Sequence, residues 1–269
     1  MVAFPPCKIN LGLNVISKRT DGFHNLETCF YPVPWTDILE IIPSDIQQMT
    51  FSGIPIPGGE EDNLCVRAYH MLKADFDLSP VKIHLHKIIP IGAGLGGGSS
   101  DAAYTLRILN DLFQLSLPLN KLNQYASKLG SDCSFFIENK PRFGSGRGEM
   151  LDDINVNLSG YWLIIVKPDV HISTQQAYAA IVPKSPKSGI KEILKRPIAD
   201  WKGLLENDFE ESVFDLHPAI SAIKDSLYSN GALYASMSGS GSALFGLFEK
   251  PIHLKDQFND MVYWEGMIE

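Results

Sequence analysis

The chain has 269 residues, 45% of them hydrophobic and 20% charged, with a formal net charge of −8. That length holds one large domain or two modest ones around a sizeable core, and the composition is that of a globular protein. The acidic balance argues against nucleic acid or an anionic membrane as a partner, while leaving room for a local basic site.

Four cysteines, Cys7, Cys29, Cys65 and Cys133, are scattered without a CxxC pair. They read as reduced thiols of a cytoplasmic protein, with neither a disulfide framework nor a zinc site. The opening, MVAFPPCKINLGLNV, has no basic start followed by a long apolar run, so no secretory signal is expected. No apolar run is long enough to span a membrane, and there is no internal repeat.

Residues 8–19, KINLGLNVISKR, alternate: Ile9, Leu11, Leu13 and Val15 point one way, and Lys8, Asn10, Gly12 and Asn14 the other. Period two predicts a half-buried strand. Residues 38–42 and 49–52 are further strand candidates. Residues 62–76 fit a helix with Leu64, Cys65, Ala68, Met71 and Leu72 on one side. Residues 81–89, VKIHLHKII, alternate again and run into a glycine-rich stretch. A helix is predicted over 99–113, with Ala102, Ala103, Leu106, Leu109 and Phe113 as its apolar stripe and Ser100 and Asp101 suited to its first turn. Another covers 119–129, stopped by Gly130, and a short helix or turn opens at 134–138. Residues 141–150, PRFGSGRGEM, read as a polar loop and a soft domain boundary. Beyond it come a buried strand at 161–166, helices at 174–181, 201–214 and 219–229, the last ended by Gly231, and a strand–turn–strand over 233–249. Helices and strands mix without a strict βαβ rhythm, which favours an α+β fold.

The sharpest signal is PIGAGLGGGSSDAA, from residue 90 onward. Gly92, Gly94 and Gly97 satisfy GxGxxG, but the acid that a dinucleotide site wants about 20 residues on is missing. No Walker lysine follows the glycines, and no HRD or DFG segment occurs. What remains is the physics common to such loops. Bare backbone N–H groups can converge on phosphate oxygens, and the following helix offers its positive end to the same anion. A structural turn or linker is the plain alternative.

PIGAGLGGGSSDAA resembles the phosphate-binding motif of the GHMP kinases, the superfamily of galactokinase, homoserine kinase, mevalonate kinase and phosphomevalonate kinase. Three more stretches, AFPPCKINLGLNVISKRTDGFHNLET near the start, LGSDCSFF at 129–136 and SMSGSGSALF at 236–245, resemble the branch that phosphorylates 4-diphosphocytidyl-2-C-methyl-D-erythritol. The matches lie in order and cover most of the chain. The resemblance implies ATP-dependent phosphorylation of that compound's 2-hydroxyl, a step in non-mevalonate isoprenoid precursor synthesis. It also implies a two-domain α+β fold. Residues 1–150 would form an ATP-binding domain of the ribosomal-protein-S5-domain-2 type, carrying the catalytic residues. Residues 151–269 would form a ferredoxin-like domain contributing to the substrate site.

Residue by residue, Asp132 in LGSDCSFF is the candidate base, with an ordinary N-cap aspartate as the plain alternative. Lys8 is its proposed partner, favouring the ionised carboxylate and lowering the proton affinity of the substrate hydroxyl; Asn10 lies on the same strand face. ATP contacts are expected from Pro90, Ile91, Gly92, Ala93, Gly94 and Leu95, then Gly96, Gly97, Gly98, Ser99 and Ser100. Asn63 and Lys87 look like adenine-side residues, with an N-cap and a strand-edge lysine as their alternatives. Phe23 and His24 in DGFH resemble the family's ring-stacking residue and cytosine-edge reader. Tyrosine is common where Phe23 stands, so stacking should survive and a hydroxyl contact should not. Tyr178 would be the opposite wall of the stack, and Gly239, Ser240 and Gly241 would abut substrate phosphates. Magnesium is expected with ATP, and Ser100 is its candidate ligand. The expected partner is a small molecule carrying a cytidine diphosphate moiety, with no nucleic acid, membrane or obligate protein partner. The rivals are a mevalonate- or homoserine-type kinase, whose substrate has no base to stack, and an idle nucleotide-binding regulator, which would not need Lys8 and Asp132.

Overall fold

Alternation in the opening residues becomes a long hairpin. In the computed structural model, which describes residues 1–179, 181–184, 186 and 188–269, β1 (Val2–Ala3) leads into β2 (Pro6–Lys18) and β3 (His24–Thr36), then β4 (Ile38–Pro43) and β5 (Gln48–Gly53). There follow α1 (Leu64–Asp75), β6 (Val81–Lys87), α2 (Gly97–Leu112), α3 (Leu119–Leu129) and α4 (Cys133–Glu138). The remainder is β7 (Arg142–Ser145), β8 (Met150–Asp153), β9 (Trp162–Lys167), α5 (Thr174–Ala179), α6 (Ile190–Ile193), α7 (Phe209–Leu216), α8 (Pro218–Ser229), β10 (Tyr234–Met237), β11 (Leu244–Phe248) and β12 (Val262–Met267). Among the described residues the strands form three four-stranded sheets, ordered β1-β4-β6-β5, β2-β3-β7-β8 and β10-β11-β9-β12. This is the α+β architecture that the mixed rhythm predicts.

Packing divides the chain into two discontinuous units. One comprises Met1–Cys7, Trp35–Ile91 and Gly96–Lys140; the other comprises Lys8–Pro34, Gly92–Leu95 and Pro141–Glu269. In the first, β6 pairs antiparallel with β4 and parallel with β5. Helix α2 packs on α1, α3, α4 and β4, burying Ala102, Leu106 and Leu109. In the second, β9 lies between β11 and β12, antiparallel to both. Ile164, Val166, Phe209, Ile220, Leu227 and Leu244 form a core there with Leu13 and Val15 of β2. The family-style glycine segment is thus shared: Gly92–Leu95 is built into one unit and Gly96 onward into the other. No helix among the described residues is long and apolar enough to cross a membrane.

Several expectations are corrected. Strand β2 is not half-buried, because its polar side is interior as well, with Lys8, Asn10 and Asn14 all buried. Strand β3 has no alternation to announce it, and Pro32 and Pro34 speak against a strand. They are tolerated because β7 pairs only with Thr28, Cys29 and Phe30. Residues 141–150 form most of the β7–β8 hairpin rather than a loop. The helix predicted at 201–214 starts only at Phe209. Before it the chain runs beside β2: Leu13 N–H donates to the Glu206 carbonyl, and Asp208 N–H donates to that of Leu13. Helix α2 begins at Gly97, two residues early, on a left-handed Gly96. The helix predicted at 174–181 is described over Thr174–Ala179; Ala180 lies outside the described residues.

Candidate functional site

The root of β2 is a buried polar knot. Lys8 Nζ donates to Asn10 Oδ1 at 2.6 Å and to the Gly94 carbonyl at 2.8 Å. Asn10 Nδ2 donates to Thr28 Oγ1 at 2.9 Å, and that hydroxyl donates to the Gly12 carbonyl at 2.6 Å. A buried ammonium is tolerable only with such partners. Asn10, predicted to meet substrate, instead fixes the lysine.

The glycine segment is pinned to the same knot. Lys8 N–H donates to the Leu95 carbonyl, and Ala243 N–H to that of Ala93. Ser238 Oγ donates to the Gly94 carbonyl at 2.9 Å. Gly94 has φ +76, and a Cβ there would lie 1.9 Å from the Ser238 carbonyl oxygen, so no side chain fits. Asn207 Nδ2 bridges the carbonyls of Met237 and Gly239, 2.8 Å from each, which holds the turn containing Gly239, Ser240 and Gly241. The two glycine motifs predicted from sequence therefore meet backbone to backbone.

The rest of the glycine stretch belongs to the other unit. From Gly92 to Gly98, alternate residues face opposite ways. Gly92 and Gly98 are exposed and Gly94 and Gly96 half-buried, while Ala93, Leu95 and Gly97 are buried along with Pro90. The first turn of α2 thus presents backbone N–H groups that the helix itself cannot satisfy.

Beneath that turn sits Lys87. Its ammonium donates to Asp37 Oδ2 at 2.5 Å and Asp101 Oδ2 at 2.7 Å, with all three side chains buried. A Cβ at Gly97 would stand 2.9 Å from this ammonium. Asp37 Oδ1 accepts from the backbone N–H of Ile88 and Ile89. Burial works against the charge on Lys87, but the two carboxylates prevail and hold its pKa above the usual lysine value. The same burial pushes Asp101 up to about 7 against the pull of Lys87, with Asp37 adding to the rise. Lys87 is therefore not a side chain that reaches toward adenine; its charge is spent under the loop.

Ser100 is likewise corrected. It is fully buried, and its Oγ has no hydrogen-bond partner among the described residues, so it offers nothing to a metal arriving from solvent. Of the serine pair, Ser99 is the accessible one, lying with Cys133 beside Gly130. Asp132 precedes α4 in the N-cap position, yet its carboxylate does not cap the helix. That removes the plain alternative for Asp132. For Asn63 the plain alternative holds: its Oδ1 accepts from Cys65 N–H at 2.9 Å and caps α1.

At the far end of the hairpin, Asp21 chelates the Arg19 guanidinium and accepts from Phe23 N–H. The Phe23 ring is 55% exposed, with the Arg147 guanidinium 5.0 Å from its centroid. Tyr178 stacks on His24, with centroids 4.9 Å apart and planes inclined by 19°; a third ring does not fit between rings at that separation. Burial, then Lys18, holds the His24 pKa below the ordinary histidine value.

Sequence reasoning missed Thr28, Asp37, Asp101, Asn207 and Ser238 as site residues. Thr28, Asp101 and Ser238 lay inside quoted motifs and could have been found; Asp37 and Asn207 are isolated polar residues with no spacing signature.

Comparison with known proteins adds a second line. Residues 63–139 match the family described as GHMP kinases N terminal domain, and residues 190–262 match GHMP kinases C terminal. The chain is 51% identical over 270 residues to the 4-diphosphocytidyl-2-C-methyl-D-erythritol kinase of Parabacteroides distasonis, covering 100% of both chains. It is 52% identical over 249 residues to the protein of that name from Cytophaga hutchinsonii, covering 92% of each. Among solved structures, a 4-(cytidine 5'-diphospho)-2C-methyl-D-erythritol kinase superposes with a TM-score of 0.84 at 32% identity, over 99% of this chain and 98% of that one. The mevalonate kinase of Methanococcus jannaschii, at 15% identity and a TM-score of 0.72 over 100% and 98% of the two chains, shares the fold.

Proposed function

Because the chain belongs to the GHMP kinases, we propose that it transfers the γ-phosphoryl group of ATP to the 2-hydroxyl of 4-diphosphocytidyl-2-C-methyl-D-erythritol, in the non-mevalonate route to isoprenoid precursors. The names of its full-length relatives support this substrate. The structural observation that carries it is the 2.8 Å hydrogen bond from Lys8 Nζ to the Gly94 carbonyl. It ties the expected catalytic lysine to the expected phosphate loop.

The loop amides and the first turn of α2 grip the polyphosphate. As the 2-hydroxyl oxygen bonds to the γ-phosphorus, the bond from that phosphorus to the bridging oxygen breaks and ADP leaves. Asp132 accepts the hydroxyl proton, and Lys8 steadies the negative charge spreading over the transferring group. Phe23 offers the open ring face on which cytosine stacks, and His24, kept neutral, reads the polar edge of the base. Tyr178 closes the stack only after parting from His24. Residues 1–150 supply the nucleotide and catalytic residues, and 151–269 complete the substrate site. Magnesium enters as the counterion of ATP, and the buried Ser100 does not fit it as a ligand. The enzyme works in the cytoplasm on a small molecule without an obligate partner.

An ADP-release assay over a panel of alcohols tests this. Turnover is expected with the cytidyl substrate and not with mevalonate or homoserine. Turnover on mevalonate alone would reject the substrate, and nucleotide binding without turnover on any alcohol would reject the kinase.

A further inference from the structure

The mechanism leaves one buried titratable cluster unused. Lys87 at the end of β6, Asp37 ahead of β4 and Asp101 one turn into α2 form a trio of two carboxylates and one ammonium, sealed from solvent. The trio fastens both ends of the phosphate segment, because Asp37 also holds the Ile88 and Ile89 amides before it, and Asp101 rides on the helix after it. Its charge does not balance when both carboxylates are ionised. Only one oxygen of Asp101 is served: Oδ2 accepts from Lys87, while Oδ1 has no hydrogen-bond partner among the described residues. A further titratable neighbour is Cys65 of α1, whose thiol burial holds in its neutral form.

We propose that this trio is a positioning and charge-setting device for the nucleotide: polyphosphate at the start of α2 drives a solvent proton onto Asp101, so that nucleotide binding is coupled to proton uptake. The inference rests on the reading of the glycine segment as the nucleotide site. The physics is linkage. An anion at the N-terminus of α2 raises the cost of a second buried negative charge one turn in, and protonation relieves it. The new O–H bond forms on the carboxyl oxygen that lacks a donor, removing one buried negative charge from the trio. Asp101, titrating near 7, is poised to respond at physiological pH.

Calorimetry of ADP binding with magnesium at pH 7.5, in two buffers of different ionisation enthalpy, reads the proton directly. Wild type is expected to take up a proton fraction on the order of 0.5 per ADP bound. Asp101→Asn keeps an acceptor for Lys87 but cannot titrate, and is expected to bind ADP without uptake. His171, whose ring lies against Gly92, is the rival proton acceptor, and uptake that persists in Asp101→Asn would overturn the proposal in its favour. Equal heats in both buffers for wild type would overturn it with no variant needed. If ADP failed to bind wild type at all, the nucleotide reading would fall, and the proposal with it. Binding without proton exchange would sink the proposal alone.

Discussion

The two ends of β2 have opposite characters. At its root, Lys8 and Asn10 are 3% and 2% exposed and locked by short hydrogen bonds to Thr28 and Gly94. At the hairpin tip, Phe23 is more than half exposed, with a guanidinium beside its ring. A group that must meet a developing charge benefits from being held before the reaction starts. A ring that must receive a flat base benefits from an open face. Under the proposed function, one strand pair serves rate at one end and recognition at the other.

If that contrast is right, substitutions among locked groups should strike kcat and those at the tip should strike KM. The largest effect is expected at Asp132, whose carboxylate has no capping duty to explain it. Asp132→Asn should lower kcat by about 10²–10⁴-fold, the range for a positioned proton acceptor, with ADP affinity by calorimetry nearly unchanged. Next comes Phe23→Ala: loss of base stacking, about 1–3 kcal/mol, should raise KM for the cytidyl substrate roughly 5–150-fold and spare kcat. An unchanged KM would move the base away from the tip. Smaller again is Thr28→Val, which removes the hydroxyl that accepts from Asn10 Nδ2 and donates to the Gly12 carbonyl; denaturant melts should show about 1–3 kcal/mol of lost stability.

The most specific effect concerns pH. Asp101 titrates from 3.8 as its ordinary value to about 7 in the fold. Between those limits the folded state holds more protons than the unfolded one, so this residue's contribution to stability falls as pH rises through that window and is flat above it. Thermal melts of Asp101→Asn should lack this decline, and parallel pH curves for the two proteins would remove the shifted carboxyl from the account.

The sequence disclosed whatever had a period or a dense motif. Helix α3 matched to the residue, and both glycine motifs were found and prove to touch. Single polar residues stayed hidden. Asp37 follows a tryptophan and a threonine in an unremarkable turn, and Asn207 sits where helical periodicity masks an extended run beside β2. Asp101 looked like a helix-start acid, when its burial and its lysine come from β6, 14 positions earlier. Strand β3 was lost because prolines ordinarily argue against a strand, and only in three dimensions does it show that Pro32 and Pro34 lie beyond the stretch paired with β7.

All four thiols are shielded, each with no more than 1% of its area exposed, and burial makes three of them, Cys29, Cys65 and Cys133, reluctant to ionise. An alkylating reagent must wait for the protein to breathe before it reacts. Two of these sulfurs flank the proposed nucleotide site: Cys65 beside the buried trio and Cys133 next in sequence to Asp132. Their labelling rates, read peptide by peptide, amount to an intrinsic stopwatch for opening of that region, and a tightly held nucleotide should slow it there while leaving Cys29 to keep its own time.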